Sequence, residues 1–87
     1  MAIKAYVLVV ADPGKTKGVL EVIRKIGGVT ETHEVMGPYD IVIEVSVENL
    51  TDIPAILGDK IRKIAGIQST TSLVTLPDNR QARLELG

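Results

Sequence analysis

Four stretches of the chain have the apolar-rich or alternating pattern that is typical of β-strands. Residues 2–11 are apolar at nearly every position, so this first strand is predicted to be covered on both faces. Residues 41–47 alternate more strictly between apolar and other side chains, whereas 29–36 and 67–76 are more polar. The pattern therefore predicts four strands, with the turn at 37–40 joining the second and third into a hairpin.

Two segments between these strands have the spacing of a helix with one buried face. The first has apolar residues at positions 19, 22, 23 and 26, and Gly27–Gly28 ends it because glycine readily adopts the left-handed backbone of a helix terminus. The second has apolar residues at positions 53, 57, 61 and 64, tolerates Pro54 in its first turn, and ends at Ala65–Gly66.

The chain contains an internal repeat with an offset of 38 residues. Residues 23–29 (IRKIGGV) correspond to residues 61–67 (IRKIAGI), and the correspondence extends to Thr32 and Thr70. Each copy has the order strand, helix, glycine, strand. Two such halves joined by a hairpin predict an α+β fold, the ferredoxin-like βαββαβ sandwich, with a four-stranded antiparallel sheet and both helices on one face.

The other face of this sheet is predicted to be apolar. In the first strand it carries the residues that point away from the helices, and the third strand adds one more. These residues are Tyr6, Leu8, Val10 and Val42. Because such an apolar row is unusual on a monomer, we expect this face to pack against a second copy and form at least a dimer.

Composition narrows the class of protein further. With 87 residues we expect one domain over 1–87, in which 77–87 form a polar tail or a short edge strand. A net charge of −1 argues against autonomous binding to nucleic acid, and the absence of cysteine excludes disulfides and thiolate metal sites. The sequence has neither a signal-peptide pattern nor an apolar run that could span a bilayer, so we expect a soluble, cytoplasmic protein.

Two local features are weak candidates for chemistry. Gly14-Lys15-Thr16 lies between a strand and a helix, but a phosphate-binding loop needs a glycine where this chain has Val9, so a simple turn is favoured. His33 is the only histidine and lies near Glu31 and Glu34. Without a second histidine or a cysteine it is a weak metal candidate, and a rim or subunit contact is favoured.

Two other features are stronger. The turn Gly37-Pro38-Tyr39-Asp40 contains an approachable glycine, one of two aromatic residues and a carboxylate. The run Ser69-Thr70-Thr71-Ser72 places hydroxyl groups on both faces of the fourth strand. Both can be explained by turn and strand propensity alone, except for the tyrosine and the serines. Together they offer a partner for an ammonium group and donors for a carboxylate, as a free amino acid requires.

These two motifs, with the elements around them, resemble the effector-binding domain of the Lrp/AsnC regulators, also called the domain of regulation of amino-acid metabolism (RAM). The resemblance covers residue 5 to about residue 76. It implies a ferredoxin-like domain that dimerises through its sheet, often assembles into octameric rings, and binds amino-acid effectors between dimers. The residues it implicates are Gly37, Tyr39, Asp40, Thr70, Thr71 and Ser72.

The chain departs from that family in one large respect. Full-length members carry an N-terminal winged helix-turn-helix, whereas here Met1 comes at the start of the first strand. We therefore expect a stand-alone, non-enzymatic, amino-acid-sensing domain in transcription regulation. Its expected partners are a free amino acid, its own copies in a homodimer or octamer, and a full-length DNA-binding relative, with no cofactor, membrane or direct nucleic-acid contact.

Two alternatives remain open. One is a small dimeric ferredoxin-like enzyme, either a monooxygenase or an acylphosphatase-like hydrolase. Acylphosphatases need an arginine in the loop after the first strand, where this chain has Asp12-Pro13-Gly14-Lys15. A monooxygenase without a cofactor would need a larger interior pocket with polar groups, whereas the strand positions that face the helices are mostly filled by Ile and Val. The other alternative is an oligomerisation module that binds no ligand.

Overall fold

The structure is a computed structural model in which residues 2–76 are described. Four strands and two helices follow one another in the order β1, α1, β2, β3, α2, β4. The second helix begins as the short α-helix α2 and continues directly as a π-helix. The bounds are β1 Ile3–Ala11, α1 Thr16–Ile23, β2 Val29–Glu34, β3 Ile41–Val47, α2 Asp52–Pro54 with the π-helix Ala55–Ile61, and β4 Ile67–Val74. The tail or edge strand predicted for residues 77–87 lies outside the described residues.

The four strands form one antiparallel sheet in the order β2-β3-β1-β4. This order confirms the predicted ferredoxin-like topology, because each βαβ half contributes one central and one edge strand. Strands β2 and β4 each end two residues before the predicted boundary. The sequence thus specified the strands and their pairing, and only the strand ends differ.

The core lies between the sheet and the two helices. Alternate residues of β1 and β3 face the helices and are fully or almost fully buried, in agreement with the strand pattern. Helix α1 adds Val19, Leu20 and Ile23 to this core, and the π-helix adds Ile56, Leu57 and Ile61. All the core side chains are aliphatic, so packing of branched residues rather than of aromatic rings holds the fold together.

The second helix differs from the predicted α-helix. Its backbone forms a π-helix at Ala55–Ile61, and Arg62 N donates a 2.9 Å hydrogen bond to the oxygen of Leu57, five residues earlier. The buried residues Ile53, Leu57 and Ile61 recur at every fourth position. This spacing keeps all three on the buried side of the wider helix.

The internal repeat is preserved in three dimensions. Gly28 and Gly66 occupy equivalent positions before β2 and β4, with φ of +96° and +99°. Helix and edge strand are also joined in the same way in each half. Arg24 Nε donates to Thr32 Oγ1 at 3.2 Å, and Arg62 Nε donates to Thr70 Oγ1 at 3.3 Å.

The predicted apolar row lies on the sheet face opposite the helices. Tyr6, Leu8 and Val10 alternate with the buried residues of β1, and Leu8 is paired with Val42 of β3. All four are partly exposed in the single chain. We call this surface the open face.

Candidate functional site

The turn between β2 and β3 is tied to the end of β1 by Asp40. Its amide donates to the oxygen of Val9 at 2.8 Å, and its Oδ2 accepts a 2.8 Å hydrogen bond from the amide of Ala11. Asp40 O also accepts from the amide of Val35 at 3.0 Å, which closes the turn. Asp40 therefore positions the turn against β1, while its carboxylate remains only partly buried.

Gly37 and Tyr39 form the outer part of this turn. Gly37 has φ of +140°, a conformation that L side chains rarely adopt, and an added Cβ would meet no atom within 4 Å. Glycine is thus required there by the backbone and leaves open space beside the turn. Tyr39 is half-buried next to it. The turn consequently offers a backbone that a small ligand can approach.

The hydroxyl groups of β4 point in two directions. Thr70 and Ser72 are paired with Val9 and Val7 and share the helix-facing side, whereas Thr71 is paired with Leu8 and lies on the open face. Ser72 Oγ is buried and has no hydrogen-bond partner among the described residues. The structure therefore separates the three predicted hydroxyl residues, and one ligand cannot contact all of them from one side of a single chain.

Strand β1 connects the turn to β4. On one side of β1, the carbonyl oxygen of Val9 accepts a hydrogen bond from the amide of Asp40. On the other side, Val9 is paired with Thr70 of β4. Ala11 donates to the Asp40 carboxylate and is paired with Ile67, where the register shifts between Val10 and Ala11. Both candidate motifs thus lie at the same end of the sheet, one strand apart.

An open pocket of about 330 Å³ lies where the second helix meets β4. It is lined by Arg62, Ile67, Gln68, Ser69 and Thr70. Of these only Thr70 was among the predicted site residues. Arg62 was not among them, although the repeat contained a signal for it, since an arginine precedes a strand threonine by the same spacing in both halves.

Charged side chains surround the middle of the open face. Lys4 Nζ lies 3.1 Å from Glu44 Oε1, and Glu44 is 8% exposed. Glu31 is paired with Glu44 across β2 and β3, and His33 Nε2 lies 3.5 Å from Glu31 Oε1. The open face is therefore apolar along β1 and charged toward the β2 edge.

The hydrogen bond with the Glu31 carboxyl is the largest cause that lowers the pKa of Glu44, and the Lys4 ammonium adds to it, while burial acts in the opposite direction. The same contact with Glu44 raises the pKa of Lys4. A glutamate whose pKa is lowered by folding stabilises the fold above its ordinary pKa of 4.5, and this contribution is lost as the pH falls through the folded-state pKa.

We accordingly predict that Glu44→Gln loses less stability than the wild type when the pH is lowered from 6 to 3. Urea denaturation at each pH measures the free energy of unfolding of both proteins. Glu21→Gln, at an exposed position of α1, is the control for the loss of one carboxylate. Parallel curves for the wild type and Glu44→Gln would contradict a stabilising role for the Glu44 carboxylate.

The described residues contain no group of three or more His, Asp or Glu side chains that could hold a metal ion. Among residues 2–76 no helix is long and apolar enough to cross a membrane. What the geometry does provide is a backbone turn, a carboxylate, strand hydroxyls and a guanidinium at one end of the sheet.

Comparison with known proteins identifies the family. Residues 4–81 match the family model of the Lrp/AsnC ligand binding domain. An uncharacterised helix-turn-helix-type transcriptional regulator from Pyrococcus furiosus is 40% identical over 74 residues, which are 82% of this chain and 49% of that protein. This chain thus spans about half the length of that curated relative.

Solved structures agree with the fold. A hypothetical protein from Pyrococcus horikoshii superimposes with a TM-score of 0.81 at 30% identity, covering 92% of this chain and 95% of that one. A transcriptional regulator from Neisseria meningitidis, solved as a complex with L-Met, has a TM-score of 0.78 at 15% identity, covering 88% of this chain and 51% of its own. The latter likeness concerns the fold alone.

The fold and the family match define a ligand-binding domain of the kind found in transcriptional regulators. The chain belongs to the Lrp/AsnC ligand-binding domain family. Its relatives are named as transcriptional regulators, which supports a regulatory, effector-binding role.

Proposed function

We propose that this protein is a non-enzymatic amino-acid sensor that acts in transcription regulation. The observation that carries the proposal is the position of the Asp40 turn and the Thr70 strand at one end of the sheet, in a chain whose family match spans residues 4–81. The regulator from Neisseria meningitidis solved with L-Met supports a free amino acid as the class of ligand.

The chemistry of the site suits an amino acid. Asp40 uses Oδ2 to accept from Ala11, and its carboxylate supplies the negative charge that an ammonium group needs. The turn backbone at Gly37 and the hydroxyls of β4 supply donors for the carboxylate. Tyr39, in the outer part of the turn, forms one wall of the proposed effector site between dimers.

Assembly completes the site in this proposal. Two copies pack through the open face, and dimers then meet so that the turn of one copy approaches β4 of another. In this arrangement Thr71 lies on the open face, in the contact within a dimer, whereas Thr70 lies on the helix-facing side, at the pocket that the second dimer approaches. Effector binding between dimers shifts the assembly equilibrium through its differential affinity for the states. In this proposal four dimers form an octameric ring. A full-length DNA-binding relative can take the place of some of its copies.

Thermal denaturation of the purified protein with each common amino acid tests this function. A ligand at a hundred times its dissociation constant stabilises the folded state by about 2.7 kcal/mol, which for a small domain raises the melting temperature by roughly 10 °C or more. A selective rise with one or a few amino acids identifies the effector. No rise with any of them contradicts sensing and favours an oligomerisation module.

Asp40→Asn separates the two roles of this side chain. An asparagine keeps an oxygen that accepts from the amide of Ala11, but it removes the charge that would hold an ammonium group. We expect the fold to remain and the dissociation constant of the effector to rise roughly 10–100-fold, since hydrogen bonds to charged groups contribute about 1.5–3 kcal/mol. Isothermal titration calorimetry measures the constant.

The comparison with Asp40→Ala completes this prediction. Alanine removes the hydrogen bond to Ala11 as well as the charge, so we expect it to lower the melting temperature in addition. Equal effector affinity in the wild type and Asp40→Asn would remove Asp40 from the ligand site and leave it only its structural contact with β1.

A further inference from the structure

The pocket at the start of β4 combines a guanidinium with neutral polar side chains. Arg62 lies on its wall together with Gln68, Ser69 and Thr70, and Ile67 supplies the apolar part. We propose that Arg62 binds the carboxylate of the effector in this pocket. This assignment rests on the proposed amino-acid-sensing function for its class of ligand. It places a positive charge beside the β4 hydroxyls, which carry none.

Among residues 2–76, the side chain of Arg62 is held in place by a hydrogen bond and has no carboxylate as an ion-pair partner. Its Nε donates to Thr70 Oγ1 at 3.3 Å, which directs the guanidinium along β4. Within residues 2–76 no carboxylate lies within 4 Å of this guanidinium to pair with it. The two terminal nitrogens are therefore available to form a bidentate pair with a carboxylate, the geometry that arginine favours.

The first half of the repeat contains the same arrangement in a different electrostatic setting. Arg24 Nε donates to Thr32 Oγ1 at 3.2 Å, so this hydrogen bond is equivalent to the one between Arg62 and Thr70. However, the positions of Ser69 and Ser72 are occupied by Glu31 and Glu34 in the first half. Glu34 shares the helix-facing side of β2 with Thr32 and repels an anion there, whereas Glu31 lies on the open face. Ser72, the counterpart of Glu34 beside Thr70, carries no charge.

This difference makes Arg24 a control within the same chain. Arg62→Gln removes the charge from the pocket, and Arg24→Gln makes the same change at the equivalent exposed position of the other half. Arg62→Lys keeps a charge but loses the planar fork. Circular dichroism and melting temperature confirm that each variant is folded before ligands are compared.

The experiment titrates ¹⁵N-labelled protein with each common amino acid and, separately, with acetate, propionate and butyrate. We expect a binding amino acid to shift the Nε–H signal of Arg62 and to leave that of Arg24 unchanged. In Arg62→Gln its dissociation constant should rise tenfold or more, in Arg62→Lys by a smaller factor, and in Arg24→Gln by less than twofold.

The simple carboxylates distinguish failure of this assignment from failure of the proposed function. If an amino acid binds the wild type and Arg62→Gln equally, the function stands and the carboxylate assignment is overturned. If only the simple carboxylates bind, and Arg62→Gln abolishes their binding, the assignment stands and amino-acid sensing falls. If neither an amino acid nor a simple carboxylate binds the wild type, both are overturned.

Discussion

Replacing Leu8 with lysine is expected to convert the proposed dimer to a monomer. Leu8 lies in the middle of the open face, paired with Val42 and flanked along β1 by Tyr6 and Val10. An unpaired ammonium buried in an apolar interface costs several kcal/mol. Since about 1.4 kcal/mol changes an equilibrium tenfold, the dimer dissociation constant should rise roughly a hundredfold or more.

Sedimentation velocity at several protein concentrations measures this change. Val22→Lys is the matched control, because Val22 is also apolar but is 47% exposed on α1, away from the open face. We expect Val22→Lys to keep the wild-type mass. A Leu8→Lys protein that is folded and sediments like the wild type would exclude the open face as the dimer interface.

Replacing Gly66 with alanine is expected to destabilise the fold by about 2–4 kcal/mol. Gly66 has φ of +99°, and an added Cβ would lie 3.0 Å from both Lys15 Cβ and Val19 Cγ2. Val19 is 1% exposed, so it cannot move without disturbing the core. For a domain of this size the melting temperature should fall by roughly 10–25 °C.

Two other glycines serve as controls in the same calorimetric or fluorescence melting experiment. Gly27→Ala adds a Cβ that meets no atom within 4 Å, and no positive φ opposes it, so we expect a change near zero. Gly28→Ala has the same backbone strain as Gly66→Ala, but its Cβ would meet the flexible end of Ile56 at 3.0 Å. We expect Gly28→Ala to lower the melting temperature more than Gly27→Ala and less than Gly66→Ala. Equal melting temperatures for Gly66→Ala and Gly27→Ala would contradict the steric argument.

The fold could be predicted from the sequence because several patterns agreed. The repeat predicted two βαβ halves, and the alternation in β1 and β3 separated buried from partly exposed residues. Both helices end earlier than predicted, at Ile23 and Ile61, several residues before the glycines. The type of the second helix was missed because a stripe at every fourth residue was interpreted with the α-helical period. Only the hydrogen bond from Arg62 to Leu57 reveals the wider turn.

The candidate site was less predictable. Asp40 was found from its turn, but its hydrogen bond to Ala11 joins residues 29 positions apart, and no local pattern contains that contact. The burial of Glu44 was missed for a similar reason, since Lys4 reaches it from a neighbouring strand. The pocket beside Arg62 depends on where a helix end meets an edge strand, which the spacing of residues along the chain does not specify.

The duplicated Arg–Thr contact has a consequence for how such a domain can diversify. Both halves use the arginine to join a helix to an edge strand, but the residue two positions after the threonine is Glu34 in the first half and Ser72 in the second. Substitutions around Thr70 can therefore alter which molecule is recognised while the acidic half keeps the architecture constant. A repeated unit can thus keep its shape in both halves while only one half changes the ligand that it recognises.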